Sequence, residues 1–271
     1  MNAPPTWDPR QYLRHAAHRA RPLADLLARV PDLPADPARV ADLGCGPGNS
    51  TAHLAERLPA ARITGYDNSA EMLARAVADH AGPTPGGGRL DFAHADLTDW
   101  TPTETYHLIA SNAALQWVPG HLDALPGWLD ALAPGGTLAV QMPDNSDAPL
   151  HALMRDLADS APFKDRLAGV LRAPGSVHDP LVYLDRLEAL GCAADVWQTT
   201  YLHLLSGPDA VLDWAKGTGL RPVLTALADD PEARDRFVAA YRDLLREAYP
   251  ERPYGTVLPF RRLFAVARKE Y

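Results

Sequence analysis

The feature that most constrains the fold of this chain is residues 40–51, which read Val-Ala-Asp-Leu-Gly-Cys-Gly-Pro-Gly-Asn-Ser-Thr. A short apolar run ends where Gly44, Gly46 and Gly48 begin, and a helical pattern with Leu54 and Leu58 on one face follows. Strand, glycine turn and helix in this order are typical of nucleotide-binding folds. The glycines accept backbone angles that a Cβ would forbid, and the helix N-terminus presents unpaired N–H groups to a ligand.

The spacing of the glycines narrows the choice of ligand. The dinucleotide fingerprint requires a glycine where this chain has Asn49, and the loop instead has Asp42 two residues ahead of it. This Asp-x-Gly-x-Gly form resembles motif I of the class I S-adenosylmethionine methyltransferases. S-adenosylmethionine has an ammonium group, which a carboxylate ahead of the loop suits, and it has no pyrophosphate. A glycine-rich turn in an ordinary βαβ unit is the simpler alternative.

Length, charge and cysteine content exclude several classes. At 271 residues the chain predicts one enlarged domain, or a core with a cap. A net charge of −8 without any Lys/Arg run argues against nucleic-acid binding. The sequence has no apolar signal core and no run near the ~20 apolar residues of a membrane span, so we expect a cytoplasmic protein without a membrane partner. Two cysteines, Cys45 and Cys192, are too few for a metal site or a disulfide framework.

The first half of the chain alternates between predicted strands and helices. The predicted strands are residues 40–43, 62–66, 90–93, 106–110 and 137–142. This alternation predicts a parallel sheet with helices on both faces, in which ligands bind beyond the carboxyl ends of the strands. Asp42, Asp67, Asp96 and Asn112 come at or just after the ends of four different strands. Together they predict one ligand site, with Asp67 at the spacing that suits a ribose hydroxyl.

The second half of the chain has a different pattern. Residues 151–158, 180–190 and 208–249 are helical or mostly helical by their spacing, and residues 163–179 are irregular. Residues 194–203 and 260–268 read as strands. These two strands predict an antiparallel hairpin at the sheet edge. The expected fold is therefore α/β, a doubly wound, mostly parallel seven-stranded sheet with an antiparallel edge strand. We expect a single domain over residues 1–271, with a core at 36–145 and a helical cap at 146–190 and 205–257.

Narrower motifs occur along the chain, among them Asn-Ala-Ala-Leu-Gln-Trp at 112–117 and Gln-Met-Pro-Asp-Asn at 141–145. With the glycine loop, they resemble the trans-aconitate 2-methyltransferase family over essentially the whole chain. The segments that carry the resemblance are residues 7–9, 12–13, 19–22, 40–51, 59–65, 111–119, 138–145, 191–192, 196–201, 218–222 and 262–268. The chain departs from the family at residues 84–88, an apparent insertion, and around 163–177.

The resemblance implies S-adenosylmethionine as the cofactor. The implied contact residues are Asp42, Gly44, Gly46, Asn49, Asp67, Asn68, Met72, Asp96, Leu97 and Asn112. In the family's arrangement Asp67 binds the ribose hydroxyls, Asp96 accepts from the adenine amino group, and Asn112 borders the sulfonium. For both aspartates, a helix cap or a turn is the simpler role.

The resemblance also implies a reaction, methyl transfer to one carboxylate of a small unsaturated tricarboxylate. A carboxylate with a pKa near ~4 is ionised at pH 7, so we expect no catalytic base and no metal. The other carboxylates need donors, and arginine suits them because its planar fork binds a carboxylate through two hydrogen bonds. The candidates are Arg21, Trp117, Tyr201, Arg221 and Arg261, with Arg262 as the alternative to Arg261. For each arginine, a solvated surface position is the simpler reading.

Three alternative functions stay open at this point. A NAD-dependent oxidoreductase would also have a strand, a glycine turn and an acidic residue after the second strand. A protein that binds S-adenosylmethionine without catalysis would have the same loop. A methyltransferase for another small carboxylic acid, or for an oxygen or carbon nucleophile, would share all of these features. None of the motifs predicts an obligate protein partner.

Overall fold

The computed structural model describes residues 16–171 and 176–270. The predicted entry segment from Trp7, with Tyr12, lies outside the described residues. The chain divides into two compact units. Among the described residues, the sheet unit comprises 20–143, 176–199 and 262–270, and the helical unit comprises 16–19, 144–171 and 200–261. The single-domain boundaries given above, with a cap at 146–190 and 205–257, stay a prediction.

The strands of the described residues form one mixed sheet. In chain order they are β1 (Arg39–Leu43), β2 (Arg62–Asp67), β3 (Gly82–Pro83), β4 (Arg89–His94), β5 (Tyr106–Asn112), β6 (Leu132–Pro143), β7 (Cys192–Leu205), β8 (Glu251–Arg252) and β9 (Gly255–Lys269). Their order is β3-β4-β2-β1-β5-β6-β9-β7, and β8 pairs with β9. Without the two-residue strands β3 and β8, seven strands remain in the described part of the chain. The predicted doubly wound sheet is confirmed.

The pairing of the strands sets the position of the switch point. Strand β1 pairs in parallel with β2 on one side and with β5 on the other. Strands β4 and β6 extend the sheet in parallel on the two sides, and β9 is antiparallel to β6. The carboxyl ends of β4, β2, β1 and β5 therefore lie next to one another. In open α/β sheets this is where a ligand binds.

The helices alternate with these strands in the first half of the chain. Within the described residues they are α1 (Ala16–Leu27), α2 (Asn49–Arg57), α3 (Ala70–His80), α4 (His121–Asp130), α5 (Pro149–Ala158), α6 (Lys164–Leu167), α7 (Pro180–Ala189), α8 (Ala210–Lys216), α9 (Arg221–Ala226) and α10 (Pro231–Ala248). A short 3-10 helix covers Leu115–Trp117. Among the described residues, no helix is both long enough and apolar enough to cross a bilayer.

Two segments rich in glycine and proline are part of the sheet. Residues 82–88 contain β3, which pairs antiparallel with β4. Residues 134–136 lie inside β6, and α4 ends before them, at Asp130. The ammonium of Lys269 stabilises this end of α4, because it donates to the carbonyl oxygens of Leu129, Asp130 and Leu132. A cation there also suits the negative end of the helix dipole.

Each unit has its own apolar core. In the sheet unit, one face of the sheet packs its side chains, such as Ile109 and Val140, with the fully buried Trp128 of α4 and Tyr183 of α7. In the helical unit, Trp214, Phe237 and Tyr241 are buried together with leucines from α5, α8 and α10. A side chain of this size contributes about 1.5–3 kcal/mol or more when it is fully buried.

Candidate functional site

The glycine loop is held against β2 by its backbone. The N–H groups of Gly44 and Cys45 both donate to the carbonyl oxygen of Tyr66, at 2.8 and 3.0 Å. Gly44, Gly46 and Gly48 have φ angles of 76°, 55° and 86°, in the left-handed region that favours glycine. A Cβ on Gly44 would lie 2.1 Å from the Cβ of Ala114, whereas a Cβ on Gly46 would meet nothing within 4 Å. Gly44 is therefore required for packing, and Gly46 borders open space.

Asp67, the last residue of β2, joins the loop to the next helix. Its Oδ2 accepts the N–H of Gly46 at 2.9 Å, and its Oδ1 accepts the N–H of Ser69 at 2.9 Å. Ser69 is the N-cap of α3, and its side chain accepts the N–H of Met72 at 3.3 Å. Each oxygen of a carboxylate has two lone pairs, so Asp67 can still accept hydrogen bonds from a ligand.

Asp42 is buried at the end of β1, and helix α2 supplies its partners. The hydroxyls of Ser50 and Thr51 donate to its Oδ2, at 3.1 and 2.7 Å. Burial raises the pKa of this carboxyl to about 6, although the two hydroxyls oppose the shift; the nearby charge of Asp67 adds to it. Asp42 thus fixes the first turn of α2 to the sheet and carries a charge that its surroundings disfavour.

Asp96 and Asn68 lie on the exposed side of the same strand ends. The Oδ1 of Asp96 accepts both the N–H and the hydroxyl of Thr98, at 2.9 and 2.8 Å. These bonds, with a smaller contribution from the Asn68 side chain, hold the pKa of Asp96 below its usual value. Leu97 beside it is buried. The simpler role anticipated for Asp96, a turn aspartate, is therefore present in the structure.

Asn112 ends β5 in register with Gln141 of β6. Its side-chain Oδ1 is buried and accepts no hydrogen bond from the described residues. The next residue, Ala113, has a φ of 58°, which is uncommon outside glycine, and its N–H donates to the carbonyl oxygen of Gln141 at 2.8 Å. A buried acceptor without a donor is costly, and strained backbone of this kind is concentrated at ligand sites.

The ten predicted cofactor residues all belong to the sheet unit, on or next to the carboxyl ends of β1, β2, β4 and β5. Asn49 is exposed at the start of α2, and Met72 is half-buried in α3. The chemistry of this group fits a ligand with hydroxyl donors and a cationic end, because Asp67 and Asn112 offer acceptors beside the open face of Gly46. The described residues contain no group of three His, Cys, Asp or Glu side chains arranged to hold a metal ion.

The predicted substrate residues are divided between the units. In the sheet unit, Arg21 is exposed, and its Nε lies 3.8 Å from Asp25 Oδ2. Trp117 is half-exposed at the end of the 3-10 helix. In the helical unit, Tyr201 is buried and stacks on the ring of His203. Arg221 is the first residue of α9 and is partly buried.

Arg261 already has carboxylate partners in the helical unit. Its Nε lies 3.0 Å from Asp144 Oδ2, and its Nη2 lies 2.9 Å from Asp147 Oδ1. The sequence did not predict the contact between the next residue, Arg262, and Gln141. Arg262 is buried in the sheet unit, and its Nη1 donates to Gln141 Oε1 at 2.7 Å. The available signal was a polar residue, Gln141, inside the apolar run of β6.

Comparisons with known proteins agree with this arrangement. The family model of a methyltransferase domain matches residues 40–136. The chain is 70% identical to the trans-aconitate 2-methyltransferase of Streptomyces avermitilis over 99% of this chain and 98% of that protein. It is 68% identical to the enzyme of the same name from Streptomyces coelicolor, over 98% of this chain and 87% of that protein.

The chain belongs to the trans-aconitate 2-methyltransferase family. A more distant relative, the trans-aconitate 2-methyltransferase of Methylobacterium nodulans, is 48% identical over 97% of this chain and 98% of that protein. The resemblance identified from the sequence is therefore confirmed, and so is the assignment as a methyltransferase. The NAD-dependent oxidoreductase alternative has no support from these relatives.

Solved structures show the same fold at low sequence identity. The YcgJ protein of Bacillus subtilis matches with a TM-score of 0.55 at 13% identity, over 93% of this chain and 99% of that chain. Phosphoethanolamine N-methyltransferase 2 of Haemonchus contortus, solved with S-adenosyl-L-methionine, matches with a TM-score of 0.52 at 16% identity, over 93% of this chain and 53% of that chain. Both matches confirm the predicted fold class of this chain.

Proposed function

We propose that this protein transfers the methyl group of S-adenosylmethionine to a carboxylate of trans-aconitate, forming a methyl ester. The observation that carries the proposal is the 70% identity, over nearly the whole chain, to a trans-aconitate 2-methyltransferase. A small carboxylic acid is the partner that this function requires. Neither nucleic acid, a membrane nor a second protein has a part in it, and the cytoplasm is the expected location.

The cofactor-binding role rests on the strand ends of the sheet unit. Gly46 leaves open space beside the loop, and Asp67 fixes that loop while keeping lone pairs for hydroxyl donors. The unpartnered Oδ1 of Asn112 supplies an acceptor next to the loop's packing partner, Ala114. Asp96, which follows the end of β4, is assigned to the adenine amino group, and Asn68, which follows β2, is assigned to flank Asp67.

When bound, S-adenosylmethionine supplies a methyl group on a positively charged sulfur; the acceptor oxygen bonds to that carbon while the sulfur keeps the electron pair of the broken bond. The acceptor carboxylate is already ionised at neutral pH, so no side chain has to remove a proton. The work of the protein is then to orient the oxygen, a contribution of at most about 7–11 kcal/mol. For this reason we assign no catalytic base.

The two carboxylates that do not react need hydrogen-bond donors from the protein if binding removes them from water. Burying an unpaired carboxylate is very costly, and arginine is the side chain best suited to pair with it. Arg221 is the strongest candidate of the helical unit, because it is partly buried at the start of α9. Tyr201 and Arg261 in that unit, and Arg21 and Trp117 in the sheet unit, are the further candidates.

A direct assay tests the proposal. The purified protein is incubated with S-adenosylmethionine labelled in its methyl group and with trans-aconitate or a panel of related di- and tricarboxylates. We expect mass spectrometry to detect a labelled monomethyl ester, with one equivalent of S-adenosylhomocysteine formed per ester. Labelled product with another acid but not with trans-aconitate would correct the substrate. Absence of product with every acid, despite measurable S-adenosylmethionine binding, would favour a binding protein without catalysis.

A further inference from the structure

Arg262 and Gln141 form a buried polar pair beside the strand ends. The side chain of Gln141 has no exposed surface, and Arg262 is 4% exposed. The guanidinium Nη1 donates to Gln141 Oε1 at 2.7 Å. A positive charge and an amide are expensive to bury unless they are hydrogen-bonded. An apolar pair of similar volume would fill the same space without that cost.

The contact with Arg262 also fixes the direction of the Gln141 amide. Arginine has only donors, so it must face the carbonyl oxygen of the amide and not its nitrogen. The Nε2 of Gln141 is consequently directed elsewhere, and it is buried without a hydrogen-bond partner among the described residues. A buried donor of this kind is satisfied by a water molecule or by a bound ligand.

The register of the sheet puts this pair next to the candidate cofactor site. Gln141 is the Cα partner of Asn112 on one side and of Phe264 on the other. Partners in register, and residues two apart in one strand, share a face of the sheet. Asn112, Gln141, Arg262 and Phe264 therefore lie on one face, opposite the face that carries Val140 and the apolar core of the sheet unit. Asn112 and Gln141, each with one side-chain atom unpartnered among the described residues, occupy neighbouring positions on that face.

We propose that Arg262 and Gln141 bind a carboxylate of the substrate that does not receive the methyl group. The inference rests on the proposed function, and it adds the residues that select the acid. A guanidinium and an amide N–H side by side offer the two donors that one carboxylate accepts. The bound carboxylate is a non-reacting one, because the reacting group loses its negative charge during transfer. A cation bound to the reacting group would stabilise the ground state more than the transition state.

Two conservative variants test the pair. Gln141→Glu keeps the shape and the contact with Arg262 but replaces the Nε2 donor with an anion. Arg262→Lys keeps the positive charge but loses the paired N–H donors of the planar guanidinium. For both we expect kcat/KM for trans-aconitate to fall by roughly 10–150-fold, which corresponds to the loss of a charge-assisted hydrogen bond. The dissociation constant for S-adenosylmethionine and the melting temperature should stay near the parent's. Arg268→Gln is the matched control, because Arg268 lies on the same strand and face but is exposed.

Substrate analogues separate this role from a structural one. In trans-aconitate monoamides, one carboxylate at a time is replaced by a carboxamide. We expect one monoamide to have a low kcat/KM with the parent, and Arg262→Lys should not lower that value further. The control variant should have the parent's kcat/KM for every analogue. Calorimetric binding of trans-aconitate to the protein saturated with S-adenosylhomocysteine gives a readout that does not depend on turnover.

The outcomes are distinguishable. If folded Gln141→Glu and Arg262→Lys bind and methylate trans-aconitate as the parent does, the pair has no role in substrate binding. If both variants lower kcat/KM by the same factor for every analogue, the pair is structural and the inference is overturned. A parent that neither binds nor methylates any polycarboxylate would overturn the proposed function together with this inference.

Discussion

The carboxylate of Asp67 accepts the backbone N–H of Gly46 at 2.9 Å, although the two residues are 21 positions apart in the chain. The contact joins the end of β2 to the glycine loop after β1. Its second oxygen holds the N–H of Ser69, at the start of α3. One side chain thus connects the loop and two neighbouring elements on the edge of the sheet where the cofactor is expected. Its replacement should affect cofactor binding in two ways, by removing acceptors and by releasing the loop.

The first prediction concerns this residue. Asp67→Ala should weaken S-adenosylmethionine binding by about 2–4 kcal/mol, since hydrogen bonds to a charged group contribute ~1.5–3 kcal/mol each. Isothermal titration calorimetry measures the change. Ser69→Ala is the control, because it removes the N-cap of α3 next door and should lower stability by ~1 kcal/mol with little change in affinity. Equal affinities for the parent and Asp67→Ala would refute the assignment of Asp67.

The second prediction separates the roles of two glycines in the loop. Both have positive φ angles, so alanine strains either position by roughly 1–2 kcal/mol. At Gly44 the new Cβ would also collide with Ala114 at 2.1 Å, whereas at Gly46 it would enter open space. Gly44→Ala should therefore lose much more stability in denaturant unfolding. Gly46→Ala should fold and bind S-adenosylmethionine weakly; a Gly46→Ala protein with parental affinity would mean that no ligand lies against this residue.

The third prediction follows from the raised pKa of Asp42. Its folded-state pKa is about 6 against 3.8 in the unfolded chain, so the folded state holds the proton more tightly. The stability that this group contributes is fully present below pH 4 and is lost as the pH rises to about 6, on the order of 3 kcal/mol. Asp42→Asn cannot titrate. Its unfolding free energy relative to the parent should rise between pH 4 and 6, and a constant difference would contradict the shift.

The same carboxyl should make cofactor binding depend on pH. If the ammonium of S-adenosylmethionine lies near Asp42, it favours the charged carboxylate and lowers the pKa of Asp42 in the complex. Affinity should then increase as the pH rises from 5 to 7, with proton release on binding in the acid range. Calorimetry in buffers of different ionisation enthalpy measures that release. In Asp42→Asn both effects should disappear; if they persist unchanged, another group is responsible.

The sequence predicted the sheet and the strand ends better than it predicted the contacts of the arginines. Alternating strands and helices fix the parallel order, and polar residues at strand ends, such as Asp67 and Asn112, stand out against apolar runs. Strand β9 was predicted as a strand, but its successive buried residues, Leu263 to Ala267, show no polar alternation that would tell which face carries a functional side chain. Arg261 and Arg262 point to opposite faces, and composition cannot tell which of them meets Asp144 and which meets Gln141. The glycine pattern predicted the turn from β1 to α2, but it did not predict that the hydroxyls of Ser50 and Thr51 donate to Asp42.

The last prediction concerns the charge of the substrate and Arg221. A tricarboxylate presents three anionic groups, and only one can receive the methyl group, so the remaining two need paired donors on leaving water. Arg221→Ala should raise KM for the acid and lower kcat/KM by ~10–100-fold or more, as expected for the loss of a charge-assisted pair. Affinity for S-adenosylmethionine should barely change, because the residues assigned to that cofactor all belong to the sheet unit.

Two further variants make the Arg221 result specific. Arg221→Lys should restore activity only in part, since a point charge cannot reproduce the two parallel hydrogen bonds of the guanidinium. Arg242→Ala, which removes an exposed arginine paired with Asp243 on α10 of the same unit, should behave as the parent. Steady-state kinetics with trans-aconitate, and with a dicarboxylate that lacks one of its anionic groups, measure all three. If Arg221→Ala retains the parental kcat/KM for every acid, the carboxylates must be bound by other residues, and the Arg262–Gln141 pair is the first to examine.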